Sequence, residues 1–203
     1  MAELYDVKQC PVFKEAGGFF LIVPYGENIP DYPTKGKVGH HFANDITYSR
    51  NGSSSTTYIV AIADGVVIDN RKWVEGFCNS PAAGNNVVIK HGNGWVSRYY
   101  HLKHDTIPLS IGDGVKIKKG DLLGKMGKTG QAYGAHLHFQ LEDENGNTVD
   151  PLPYLLGEKV IGENAETEVY RVSLAETFSS KDEAKATADA LNTLGIKAEI
   201  ESI

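Results

Sequence analysis

The chain has 203 residues, 41% hydrophobic and 23% charged, enough for one sizeable domain with its own core and at most one small appendage. A net charge of −6 excludes a general nucleic-acid binder, which needs a basic surface, and no apolar run approaches the roughly 18 residues that span a bilayer. The charge is uneven: from residue 158 onward ten acids face five bases, while all seven histidines (40, 41, 91, 101, 104, 136 and 138) lie earlier, which predicts two units with different work.

In chain order, the segment Met1 to Asp6 lacks the basic and apolar regions of a secretory signal. It predicts either a protein held in the cytoplasm until release or a secreted one whose signal has been trimmed. Cys10 and Cys78 are too few and too far apart for a disulfide framework or a thiolate metal site; free structural thiols are expected, with a mutual disulfide as the alternative. His41 and Asp45 follow in Gly39-His40-His41-Phe42-Ala43-Asn44-Asp45-Ile46. On a straight strand their Cα atoms would stand about 13 Å apart, too far to share a metal ion, so the chain is expected to bend between them and enter a strand at Asp45-Ile46.

From Tyr58 to Phe139 short apolar segments alternate with glycine punctuation. Tyr58 to Ala63 before Asp64-Gly65, and Asn86 to Lys90 before His91-Gly92-Asn93-Gly94, read as strands with hairpin turns. Val115 to Lys118 alternates with period two, and no stretch before Asp150 holds a 3.6-residue apolar period. The expected fold class is therefore mainly β, an antiparallel sheet with few short helices. Loops 26–38, 50–57 and 70–86 are the expected walls of a groove, and the lysines at 116, 118, 119, 125 and 128 are expected on a solvated face. Arg98-Tyr99-Tyr100-His101-Leu102 is an aromatic strand ending in histidine, and Ala135 to Leu141 is a strand that places His136 and His138 on one face with Leu137 on the other. Two neutral imidazoles and a carboxylate form a usual hydrolytic zinc set with the fourth position left open.

After Leu156-Gly157 a polar stretch, 158–167, reads as a linker. Glu168 to Leu174 alternates as a strand, Ser180-Lys181-Asp182-Glu183 opens a helix burying Ala184, Ala188 and Leu191, and Ile196 to Ile200 follows as a strand, giving a small βαβ-like unit over 168–203. So short a segment buries too little surface to stand alone, so it is expected to pack on the first unit or to pair with a second copy as a homodimer.

Three groups of residues together carry a resemblance: His41-x-x-x-Asp45, Tyr100-His101-Leu102, and Gly134-Ala135-His136-Leu137-His138-Phe139. With Gly112-Asp113-x-Val115, Lys119-Gly120-Asp121-x-Leu123-Gly124-x-Met126-Gly127-x-Thr129-Gly130 and Val149-Asp150-Pro151, the chain resembles the lysostaphin-like (LytM-type) peptidoglycan zinc endopeptidases over roughly 35–157. The family usually has glycine where this chain has Ala43. The resemblance implies one Zn2+ per chain held by His41, Asp45 and His138, with His40 a bystander and His101 and His136 the unligated catalytic pair. It implies metal-assisted hydrolysis of peptide bonds in bacterial peptidoglycan, in which one of the two imidazoles takes the water proton, and it leaves open which. A phage-type endolysin fits it, as does, in another class, a non-catalytic peptidoglycan-binding or regulatory module on the same scaffold. The tail resembles half of a sporulation-related repeat (SPOR) domain, which implies wall binding. No His-Glu-x-x-His or Gly-x-Ser-x-Gly pattern offers a rival chemistry.

Overall fold

The structure is a computed structural model, describing residues 2–28, 40–48, 56–162 and Lys185. The chain divides into two compact units, Met1–Gly162 and Glu163–Ile203. The second unit, with the strand–helix–strand pattern expected over 168–203, lies outside the described residues apart from Lys185, as do 163–167 of the linker, 29–38 of loop 26–38 and 50–55 of loop 50–57.

The first unit is built from β1 (Glu3–Tyr5), β2 (Phe19–Val23), β3 (Asn44–Tyr48), β4 (Tyr58–Val60), β5 (Gly65–Arg71), β6 (Asn85–His91), β7 (Val96–Leu102), β8 (Lys116–Ile117), β9 (Leu122–Lys125), β10 (Leu137–Glu142) and β11 (Thr148–Val149), with a single turn of helix, α1 (Leu152–Leu155). One antiparallel sheet runs β1-β2-β3-β10-β7-β6-β5-β8 with β11 on β10, and β4 pairs with β9 in a second, two-stranded sheet. The mainly β reading holds. The expected hairpin at Asp64-Gly65 does not: β4 and β5 belong to different sheets. Gly65 is there for close packing, since a Cβ would meet Ile89 Cγ2 at 2.5 Å and the Lys90 carbonyl oxygen at 2.6 Å. The His91-Gly92-Asn93-Gly94 turn does join β6 to β7, with Asn93 and Gly94 at positive φ and the His91 amide donating to the Trp95 carbonyl at 2.8 Å.

Period-two alternation separates a dry face from a polar one. On β10, Leu137, Phe139 and Leu141 are fully buried, and on β7 Ser97 and Tyr99 point the same way. Tyr99 and Phe139 are direct cross-strand partners with ring centroids 5.2 Å apart, and the Tyr99 hydroxyl accepts from the Ile62 amide at 2.9 Å. Phe13, Phe19, Ile46, Ile59, Leu123 and Met126 complete the core between the two sheets. The opposite face carries His138, Gln140, Glu142, Arg98 and Tyr100, the side chains left over by that alternation. Both cysteines are free, and burial pushes the Cys10 thiol up to about 12, which makes it an inert core residue.

The loop before β6 and the segment after β9 meet backbone to backbone. Gly130, at φ +77, would place a Cβ 2.3 Å from both the Ala82 oxygen and the Gly84 nitrogen. Gly130→Ala is expected to cost about 2–5 kcal/mol in urea unfolding, from left-handed strain plus overpacking. Gly112→Ala, which meets nothing within 4 Å, is expected to stay within about 0.5 kcal/mol of the parent.

Candidate metal centre

Three adjacent strands bring the first set of side chains together. His138 on β10 lies opposite Asp45 on β3 and opposite Tyr100 on β7, so Asp45, His138 and Tyr100 form one row on the polar face. The Tyr100 ring lies flat on His138, centroids 5.2 Å apart and planes 3° from parallel.

His41 reaches the row through the expected bend. β3 begins only at Asn44, so residues 41–43 leave the strand direction. The bend is tied on both sides: the His41 amide donates to the Glu27 carbonyl at 2.9 Å, and the Gly26 amide donates to the His41 carbonyl at 2.7 Å. Asn44 Oδ1 accepts from the Tyr25 amide at 2.7 Å, while its Nδ2 donates to Asp150 Oδ1, which also accepts the Leu152 amide. The Val149-Asp150-Pro151 motif thus braces the mouth of β3. Ala43 is fully buried, which accounts for a small residue there, and His40 is exposed, with its ring near Phe42.

His41 Nε2, Asp45 Oδ1 and His138 Nδ1 form a triangle with sides of 3.2, 3.2 and 2.9 Å. Ligands about 2.0–2.1 Å from a tetrahedral zinc stand about 3.3 Å from one another, so the three donors sit close to the edges such an ion requires. His41 and His138 are buried and the Asp45 side chain is 14% exposed, so the three could hold a metal ion away from bulk water. Burial alone would raise the Asp45 carboxyl. Hydrogen bonds from His138 and His41, with the nearby imidazole charges, outweigh it and hold Asp45 well below the usual carboxylate range. Burial pushes His138 down despite the Asp45 hydrogen bond. An ionised carboxylate beside a neutral imidazole is the protonation state that a cation needs.

His101 and His136 stand beside the triangle, ring centroids 4.8 Å apart, with His136 Nε2 3.5 Å from Asp45 Oδ2. His101 Nδ1 donates to the Thr129 carbonyl at 2.8 Å and His136 Nδ1 to the Gly134 carbonyl at 2.9 Å. A carbonyl can only accept, so each neutral ring carries its proton on Nδ1 and leaves Nε2 as an acceptor. Alternation along β7 would send His101 to the opposite face from Tyr100. It reaches the site because its φ is +63, a left-handed conformation rare outside glycine. Thr129 fixes that conformation: its carbonyl holds the ring, its hydroxyl donates to the Leu102 carbonyl at 2.7 Å and accepts the Asn85 amide at 2.9 Å. The structure brings His41, Asp45, His138, His101 and His136 together, and adds Tyr100 and Thr129, which carry no role in the sequence analysis. Their place inside the motifs that carry the resemblance was the available signal.

A mainly antiparallel sheet with a buried His-Asp-His triangle and two further imidazoles defines a metallopeptidase-type scaffold. Peptidase family M23 matches residues 44–151, and the chain belongs to that family. The matched span holds Asp45, His101, His136 and His138; His41 lies just ahead of it and joins the set by geometry. The chain is 39% identical over 85 residues to the peptidoglycan DD-endopeptidase ShyA of Vibrio cholerae, covering 42% of this chain and 17% of that protein. It is 31% identical over 127 residues to the murein hydrolase activator NlpD of Escherichia coli, covering 61% of this chain and 30% of that one. The chain therefore spans less than a third of the length of these curated relatives. A crystal structure of a zinc-containing peptidase from Vibrio cholerae superimposes with a TM-score of 0.50 at 27% identity, over 72% of this chain and 39% of that chain.

His101 is pushed down to about 3, first by burial and then by the neighbouring His136 and His138. Its folded value lies below the unfolded value of about 6.5, so the unfolded chain binds the extra proton first. Metal-free protein is expected to lose stability as the pH falls from about 6.5 towards 3, and His101→Gln is expected to flatten that slope. Urea midpoints at stepped pH, with chelator present, check both.

Proposed function

We propose that the chain is a zinc-dependent endopeptidase that hydrolyses peptide bonds in bacterial peptidoglycan. The observation that carries this reading is the donor triangle of His41, Asp45 and His138 with two Nε2 acceptors of His101 and His136 alongside it. Family membership and the ShyA likeness support it. His41, Asp45 and His138 would hold one Zn2+, which supplies a Lewis acid that polarises the scissile carbonyl and lowers the pKa of water towards about 7.

The remaining steps fall to the chain's own groups. Burial disfavours an imidazolium at His101, whereas His136 has Asp45 Oδ2 3.5 Å from its Nε2 to balance a positive charge. His136 is therefore assigned to take the water proton at Nε2 and pass it to the leaving amine, and His101 to orient the water through its Nε2. Tyr100 keeps His138 in plane by stacking. The second unit, by its SPOR-like sequence, is assigned to wall binding, with pairing of two tails into a homodimer. The site of action is the cell wall, reached by endolysin-type release or by secretion. A strict monomer in sedimentation at micromolar concentration would count against the pairing.

The NlpD likeness supports a second reading, a wall-bound regulator of other hydrolases. Digestion of purified peptidoglycans with different cross-bridges, with and without a zinc chelator, separates the two, with new amino termini read by mass spectrometry. Chelator-sensitive release of a defined peptide is expected. His136→Asn and His101→Asn should each lower the rate by about 10²–10⁴ with zinc content unchanged, whereas Asp45→Asn should lose the metal. Zinc-loaded protein that cleaves no wall would leave the regulator.

A further inference from the structure

The row that begins at Asp45 and His138 continues past Tyr100. β7 bulges against β6, with Tyr100 and His101 opposite the single residue Asn86, which places Asn86 beside Tyr100 on the polar face, and Asn86 pairs directly with Arg71 on β5. Arg71 therefore shares the face of the metal-binding triangle, three strand spacings from His138, or about 14 Å. An extended peptide covers that distance in about four residues.

Two arginines lie among the described residues, and both are on this face. Arg98 is taken by Glu142 in a two-pronged ion pair, Nε to Oε1 at 2.8 Å and Nη2 to Oε2 at 3.0 Å. Arg71 has no carboxylate within ion-pair distance among the described residues. Its Nη1 makes one long bond to the Gly84 carbonyl at 3.4 Å, and its guanidinium carbon lies 5.7 Å from the centre of the Trp73 ring. Asp69, two residues back on β5, accepts from Asn86 Nδ2 at 3.0 Å. The Arg71 fork is thus half-buried, held by an exposed indole and a backbone carbonyl, with most of its five donors unspent. A planar fork on an aromatic face is pre-organised for a carboxylate.

We propose that Arg71, stacked on Trp73, is a specificity residue that binds a free carboxylate on the substrate peptide about four residues from the bond that is cut. This rests on the endopeptidase reading above and names the substrate class within it: anionic peptides, in preference to their amidated forms.

The test uses cross-linked muropeptides from purified peptidoglycan, either native or with their carboxylates converted to carboxamides by carbodiimide and ammonia. Wild-type protein is expected to show a native-to-amidated ratio in kcat/KM of roughly ten- to hundredfold, expressed mainly in KM. Arg71→Gln is expected to bring the ratio near one, and Arg71→Lys to restore part of it. A wild-type ratio near one, or a ratio unchanged by Arg71→Gln, overturns the proposal. Trp73 fluorescence on titration with the same two fragments reads binding without turnover. If wild-type protein cleaves neither fragment, the endopeptidase reading fails, and this titration still decides. Tighter binding of the native fragment that Arg71→Gln abolishes supports the carboxylate site; equal binding of both fragments overturns it.

Discussion

The pairing of β10 with β3 on one side and β7 on the other is the constraint on which the site depends. His138 is opposite Asp45 and Tyr100 only in this register. A slip of one residue would send His138 into the core and Leu137 to the polar face. What prevents the slip is hydrophobic burial. Leu137, Phe139 and Leu141 are each fully buried, and exposing such side chains costs about 1.5–3 kcal/mol apiece. The His138 corner of the donor triangle is therefore positioned by the dry side of β10, while Tyr100 and Asp45 hold its ring.

The second half of the site is held by polar contacts. His101 sits in a left-handed conformation that costs about 1–3 kcal/mol for a residue with a Cβ. Around it, the His101 amide donates to the Ala83 carbonyl, His101 Nδ1 to the Thr129 carbonyl, and the Thr129 hydroxyl bridges Leu102 and Asn85. Each such bond contributes about 0.5–1.5 kcal/mol, so together they offset the strain. The close approach of Gly84 to Gly130 brings the two segments near enough to make them. Strain at His101 and glycine at 84 and 130 are parts of one device that puts a second imidazole beside the triangle.

These two halves differ in how far the sequence discloses them. The His136-Leu137-His138 pair is legible because strand periodicity is local, and the bend after His41 because a straight strand makes the spacing impossible. The core face of β10 follows from the same alternation. The placement of His101 is not legible from its own neighbourhood: alternation puts it on the wrong face, and its φ is set by Thr129 and Ala83, far along the chain or in another loop. Gly65 is ambiguous in the sequence because glycine signals both a turn and a close approach, and only the neighbouring Ile89 decides between them. Arg71 carries no mark in the sequence because its alignment with His138 passes through three strand pairings and a bulge, none of which is written locally.

The electrostatics of the face run against the charge of the chain. The whole protein carries −6, and the segment from residue 158 onward, which holds no histidine, accounts for −5 of it with ten acids against five bases. The site itself has one ionised carboxylate, Asp45, buried among imidazoles, and a doubly charged cation there would leave the triangle positive. Arg71 adds a second positive charge on the same face, while Arg98 is cancelled by Glu142. At physiological ionic strength charges are screened over about 8 Å, so a ligand on this face senses these local charges far more than distant acidic residues. The net charge of the chain therefore does not by itself oppose the binding of an anionic peptide at Arg71, where the nearest carboxylate, Asp69, is engaged by Asn86.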